Sequence, residues 1–323
     1  MSSSLCVKLT QWMCYAVKLN STYLSTCVAN GLCSIVAVSG NLVIILAILR
    51  NSSLHTPSYV LLCNLAISDL GVGLFVQPLF IALRITEAKG LVDISCKLGF
   101  AYFSTAGCFA WLSFLTLTAV SVDRLLAVYL GPKYRAIVTV TKTKIVIFFL
   151  WIIAVVVGLI YVLDIASYFL AIISLICVCL LITSTNYFAI GRSLKRREAR
   201  FQKRNKQVNA TKQRRNSFNF GRYKKTITSM MYVYWVFLLC YLPYLCFSVV
   251  LKLVGRTSAV QEAYLVTATL VLANSAFNPC LYYWRILELR NAVKKLIGWR
   301  EVAVTCENKP DCTYNASRDI SVC

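Results

Sequence analysis

Apolar residues in this chain come in long blocks rather than at helical or strand spacing. Seven stretches are free of charge or broken by a single acid: 19–49, 56–83, 98–122, 145–163, 165–191, 226–251 and 263–284. A bilayer core takes roughly 20 apolar residues per helix, so each block is long enough to span it. Asp69 alone interrupts the second block. The pattern predicts an all-α membrane protein, a bundle of seven transmembrane helices spanning 26–284. An odd number of spans puts the two termini on opposite faces. After the last block, Ile286, Leu289, Val293, Leu296 and Ile297 recur at helical spacing, with Arg290, Lys294 and Lys295 between them. That periodicity predicts a short amphipathic helix over 285–299 lying on the membrane surface.

Composition agrees: 59% of the 323 residues are hydrophobic, too many for a soluble domain of this size. The formal charge of +22 would suit nucleic acid, but its placement argues for topology instead. Fourteen of the 34 Lys and Arg residues fall between Gly191 and Lys225, against one acid, Glu198. Lys133, Arg135, Lys142 and Lys144 lie on the same side, and the alternate loops are short and nearly balanced. The positive-inside rule then makes 191–225 a cytoplasmic third loop, residues 1–25 an extracellular N-terminus and 300–323 a cytoplasmic tail. The same loop is expected to attract anionic membrane lipids, either as a partly disordered segment or as helical extensions. No basic start leading into a cleavage site precedes span one, so that span is expected to serve as its own signal anchor. The sequon Asn20-Ser21-Thr22 falls on the outer face, where glycosylation at Asn20 is expected, whereas Asn51, Asn209 and Asn315 fall inside.

Chemistry is sparse. The chain has one histidine, His55, and its fifteen cysteines show no metal spacing. Neither an enzyme nor a transporter is indicated: there is no nucleophile or phosphate-loop motif, and no row of intramembrane charges along a path. Two charged features stand out. Asp69 is the one formal charge deep in a span, and Asp123-Arg124 closes the 25-residue uncharged run Leu98–Val122. Asn41, Asn64, Ser113, Asn274, Ser275 and Asn278 lie inside other apolar blocks. If they converge on Asp69 they form either a cation site of oxygen ligands or a packed network around a protonated carboxyl. Pro243 and Pro279 are expected to kink spans six and seven.

Taken in order, these positions resemble a rhodopsin-like (class A) G-protein-coupled receptor over residues about 25–300. The resemblance is carried by Gly40-Asn41, by "NLAISDL" with Asn64 and Asp69, by Asp123-Arg124, by Pro132 and Tyr134, by Trp151 and Tyr187, by "CYLP" (Cys240–Pro243) preceded by Phe237, and by "NSAFNPCLY" with Asn278, Pro279 and Tyr282. It implies a receptor for an extracellular ligand, coupled to a heterotrimeric G protein and to arrestin, at the plasma membrane. Asp123, Arg124, Tyr187, Asn278, Pro279 and Tyr282 would carry activation; Phe237, Cys240 and Pro243 would form the span-six hinge. Asp69, Ser113, Asn274, Ser275 and Asn278 would form a sodium pocket.

The departures are equally specific. Leu125 and Tyr241 replace the family's usual tyrosine and tryptophan, leaving a non-coupling decoy as the rival within the family. The second outer loop is almost absent, as in the melanocortin, cannabinoid and lysophospholipid group, to which adenosine receptors are related. No cysteine occurs between Asp164 and Cys177, so Cys96 is left to pair with Cys6, to pair with Cys14 or to stay free. Tyr223, Lys224 and Lys225 stand where an acid would lock Arg124, which implies ligand-free signalling. Ala106 rules out an amine-receptor carboxylate, span seven has no Schiff-base lysine, Ser248 stands in place of the adenosine receptors' asparagine, and Leu79 and Phe103 supply no melanocortin-type acids, although Glu87 and Asp93 lie nearby. Phe100, Tyr102, Phe103, Ala106, Tyr241, Tyr244 and Phe247 leave an apolar, aromatic mouth suited to a lipid-like or other small apolar ligand. "RRNS" makes Ser217 a phosphorylation candidate, and Cys306, Cys312 and Cys323 are candidates for palmitoylation.

Overall fold

The computed structural model describes Met13 and residues 19–163, 165–205, 210–255 and 257–298. Among these residues there is no strand. Seven helices are long and apolar enough to cross a membrane. Span one is Asn20–Arg50, span two Pro57–Ala88, span three Val92–Leu130, span four Val140–Leu163, span five Ile165–Asn205, span six Ala210–Val254 and span seven Ser258–Arg285. A short helix, Tyr134–Ile137, follows span three, and a surface helix, Leu287–Leu296, follows span seven.

Local chemistry explains the breaks. Thr257 caps span seven by accepting a hydrogen bond from the Val260 N–H at 3.3 Å. Gly131 ends span three at φ 54°, ψ −122°, a backbone open essentially to glycine. Span two widens into a π-turn at Val72–Val76, just before Pro78, whose ring removes one helical donor and displaces the carbonyl a turn earlier. Spans five and six outrun the bilayer: 41 residues at 1.5 Å each make about 60 Å of helix. The basic stretch read as a loop at 191–225 is thus carried largely on two projecting helices, with only 206–209 between them outside the described residues.

Span three runs through the middle and packs on spans two, four and five, while span seven packs on spans one and six. Lipid is as apolar as the helix faces, so the bundle is held by close packing and internal polar contacts rather than by excluding water. Glycines set the approach distances. A Cβ on Gly40 would sit 2.9 Å from Cβ of Pro279, whose ring is rigid, and one on Gly71 would lie 2.2 Å from the Phe109 ring. Gly40→Ala is expected to destabilise the purified protein by about 1–3 kcal/mol, the usual cost of overpacking. Gly191→Ala, with nothing within 4 Å, should not lower it. Thermal unfolding of the two variants in detergent checks this, and equal melting points would contradict it.

Much of the surface helix's apolar stripe packs on the bundle, while Ile297 at its end is 64% exposed. Leu289, Ala292 and Val293 are buried in the same cluster as Ile48, Leu54 and Leu61, so the stripe docks on the bundle. The tail beyond residue 298, including Cys306, Cys312 and Cys323, lies outside the described residues. So do residues 1–12 and 14–18, including Cys6 and Cys14. Asn20 is exposed at the first turn of span one. Ser217 falls on the span-six helix, its side chain outside the description.

Candidate functional site

At one end of the bundle, Asp123 and Arg124 are both buried, 5% and 8% exposed, on the last turns of span three. Arg124 donates from Nη2 at 2.6 Å and Nε at 3.1 Å to Oδ2 of Asp123. Ser58 of span two donates to the same oxygen at 2.6 Å, and the Tyr134 hydroxyl donates to Oδ1. One carboxylate therefore holds the arginine, the foot of span two and the helix after span three. Among the described residues, every hydrogen bond and ion pair of Arg124 runs to Asp123. Tyr187 is buried against Tyr234 of span six at 5.4 Å, and Tyr234 is tied to Ser184 at 2.6 Å. Tyr282 is fully buried, and its hydroxyl has no hydrogen-bond partner. An arginine with a single counter-ion and a phenol with none are groups that can change partners.

Midway through the bundle, Asp69 is 1% exposed and accepts from Nδ2 of Asn278 at 2.7 Å and from Ser275. Asn41 reaches the same region through the Ser275 carbonyl at 3.0 Å, and Ser113 through Ser68 at 3.0 Å. Asn64 does not join them. Its amide donates to Thr116 at 2.8 Å and its oxygen accepts from Trp151 at 3.0 Å, tying spans two, three and four. Five residues separate Asn64 from Asp69, about 140° around the helix, so they face different neighbours. Oδ1 of Asp69, Oδ1 of Asn274 and Oδ1 of Asn278 are all buried without a hydrogen-bond partner. Orphaned oxygens of this kind are rare and ask for a cation or water; as a donor set they fit a small hard cation.

Above this network, Phe237 and Tyr241 of span six stack at 4.1 Å, and both meet the edge of Phe114 of span three, at 4.5 and 4.7 Å. Cys240 is buried beside them, and Pro243 lies inside the helix one turn on. The trio roofs onto a cavity of about 290 Å³. Phe103, Ala106, Tyr241 and Tyr244 line it, as the sequence reading has it, together with Trp111, Tyr264 and others. Phe247 does not. The lining positions of span six are 241, 244, 245, 248 and 251, and residue 247 sits about a quarter-turn off that stripe. Phe100 is likewise absent from the wall. Ser113 and Ser275 also line the cavity, so it adjoins the Asp69 network. Tyr244 and Tyr264 meet hydroxyl to hydroxyl at 3.2 Å across spans six and seven. Among the described residues, no charged side chain lines it.

The arrangement of these motifs on seven helices is shared with known proteins. The family model described as "7 transmembrane receptor (rhodopsin family)" matches residues 40–168 and 162–282. The chain belongs to that family. The receptor is 26% identical to melanocortin receptor 3 of Mus musculus over 279 residues, covering 81% of this chain and 82% of the relative. It is 27% identical to adenosine receptor A3 of Bos taurus over 303 residues, 85% of this chain and 89% of the relative. Its fold matches a crystal structure of squid rhodopsin with a TM-score of 0.75 at 21% identity, covering 90% of this chain and 89% of that one. The receptor is thus a multi-pass membrane protein of the G-protein-coupled class, and the transporter reading is set aside.

Sequence reasoning missed one feature of the receptor. Span two does not end at Leu83: the helix continues to Ala88 and buries an ion pair, Arg84 Nη1 to Glu87 Oε2 at 2.6 Å. Tyr23 of span one donates to the same carboxylate oxygen at 3.2 Å and accepts from Gln261 of span seven at 3.3 Å. Asp69 is therefore not alone as a buried charge. The signal was present as an arginine and a glutamate at i, i+3, but two charges at the end of an apolar block read as its boundary. Cys96 is disulfide-bonded, so of its three fates the free thiol is excluded; its partner lies outside the described residues.

Proposed function

We propose that the receptor responds to a neutral, largely apolar small molecule held in the cavity between spans three, six and seven. The observation that supports this is the wall formed by the described residues: four tyrosines and several apolar side chains, with no charged side chain among them to meet an ionic ligand. A charged group buried there would lose its hydration without a counter-ion, a cost of several kcal/mol. The tyrosine and serine hydroxyls supply hydrogen bonds to a hydroxyl or carbonyl instead. Ligand contact with Tyr241 bears on the Phe237–Tyr241–Phe114 stack, and span six carries that shift toward Tyr234 and the Arg124 end. The G protein engages that end, with Arg124 released from Asp123, and ligand and G protein favour the same open population reciprocally. Arrestin is a second partner for the same end. The receptor sits in the plasma membrane with its N-terminus and Asn20 outside and the basic helical extensions in the cytoplasm.

The test is ligand-free G-protein activation in cells, wild type against Arg124→Ala at matched surface expression. The wild type should signal above mock-transfected cells and the variant should fall to the mock level. The same assay, run on neutral lipids, fatty acids and cationic amines, should respond to the neutral set; responses confined to charged compounds would overturn the ligand reading.

Asp69, Asn274, Asn278, Ser275 and Ser113 are the residues that would hold sodium, which would supply a positive charge favouring the resting packing. Sodium chloride should then lower ligand-free signalling of wild-type membranes relative to N-methylglucamine chloride at equal ionic strength. Asp69→Asn should erase that difference. Equal signals for the wild type in both salts would remove sodium from the account.

A further inference from the structure

Span six has no acid to hold its foot. Ala210–Val254 contains neither Asp nor Glu, and among the described residues every hydrogen bond and ion pair of Arg124 runs to Asp123. No carboxylate of span six can therefore bridge it to Arg124. Among the described residues span six lies mainly against span seven and touches spans three and five much less. Even against span seven the fit is open at one level. Val236 of span six and Phe277, Cys280, Leu281 and Trp284 of span seven line a groove of about 510 Å³, so close packing does not close the pair there.

One turn nearer the Arg124 end the two helices meet through a different contact. Cζ of Arg285, the last residue of span seven, lies 3.8 Å from the centre of the Tyr232 ring and 4.6 Å from that of Trp284. Trp284 is its neighbour in the chain, whereas Tyr232 belongs to span six, so only the Tyr232 contact crosses between helices. A guanidinium is drawn to the negative face of an aromatic ring, and both distances lie well inside the range where that attraction acts. Tyr232 precedes Pro243 by eleven residues, about 16 Å of helix, so a bend at the proline displaces it further than any residue nearer the hinge. We infer that Arg285 on the Tyr232 ring is the clasp that keeps the foot of span six on span seven in the resting receptor, and that the G-protein end opens only when it parts. It shares that task with the Tyr234 hydroxyl, which ties span six to Ser184 of span five at 2.6 Å.

The test changes the electron density of the ring and leaves its size almost alone. Tyr232 is replaced by Phe, then by phenylalanines carrying one, two or three ring fluorines, inserted by nonsense suppression at matched surface expression. Fluorine drains the negative face on which a cation sits. Ligand-free G-protein activation should match wild type for Tyr232→Phe and rise stepwise with fluorine. Tyr232 is 43% exposed, which places the contact at the weaker end of its range, so the trifluoro form and Tyr232→Ala should both reach about three-fold. Arg285→Gln should raise output by a similar factor, and in that background fluorination should add nothing. Signalling reads the clasp only through the coupling proposed above, whereas hydrogen exchange of the purified chain in detergent needs no G protein. Exchange at residues 228–236 should quicken in the trifluoro form relative to Tyr232→Phe. Where the wild type signals above mock-transfected cells, output that stays flat across the fluorine series would overturn the clasp. Where the wild type is silent, unchanged exchange would overturn it. A fluorine effect that survives Arg285→Gln undiminished would overturn it in either case, because the ring would then be acting on something other than the guanidinium.

Discussion

Arg84→Ala should cost the receptor about 3–5 kcal/mol of stability, the penalty for removing one member of a buried ion pair. The carboxylate of Glu87 would remain inside the bundle, fully buried, with the Tyr23 hydroxyl at 3.2 Å as its donor in place of a guanidinium. The arginine also packs its guanidinium over the rings of Phe80 and Tyr23, at 5.2 and 5.8 Å, so its loss removes contact as well as charge. The pair holds spans one, two and seven together at the end of the bundle away from Arg124 through Tyr23 and Gln261. Loss should therefore show as a lower melting point in detergent and as reduced surface delivery. Replacing both partners with apolar residues of similar size, Arg84→Met with Glu87→Leu, should recover most of the loss, because no orphaned charge remains. A single Arg84→Ala variant as stable as wild type would mean that Glu87 finds water or another donor, and the junction would lose its structural role.

Asp123→Asn should raise ligand-free signalling at least about tenfold. Asp123 is the acceptor of every hydrogen bond Arg124 makes among the described residues, and it also fixes Ser58 and Tyr134. Hydrogen bonds to a charged group contribute about 1.5–3 kcal/mol, and 1.4 kcal/mol is a tenfold change in population. The amide keeps the shape but removes the charge and replaces one acceptor by a donor aimed at other donors. Second-messenger output, normalised to surface receptor, is the readout; the added Arg124→Ala change should return it to the mock level. Output of Asp123→Asn no higher than wild type would show that the resting state is held elsewhere, for example by the Arg197 guanidinium donating to the Val128 carbonyl between spans five and three.

Some of this was legible in the residues alone. Seven uncharged runs announce seven membrane helices because bilayer thickness is a length, and a length can be read along a chain. The order of Gly40-Asn41, Asp69, Asp123-Arg124, Pro243 and Asn278-Pro279 pointed to the family. What sequence could not give was rotation. Asn64 and Asp69 occupy one span five residues apart, yet the first turns to Trp151 and the second to Asn278. Phe247 is as aromatic as Tyr244 but points away from the cavity that Tyr244 lines. Arg84 and Glu87 looked like the edge of a membrane span until span one and span seven closed over them. The apolar stripe of the surface helix read as membrane contact, yet Ile286, Leu289 and Val293 are buried in the bundle while Ile297 stays exposed. Each of these depends on which neighbour faces a given side of a helix. In a bilayer that is decided by close packing, at contacts such as Gly40 on Pro279, and by the need to pair buried polar groups, both of which exist only once all seven helices are in place.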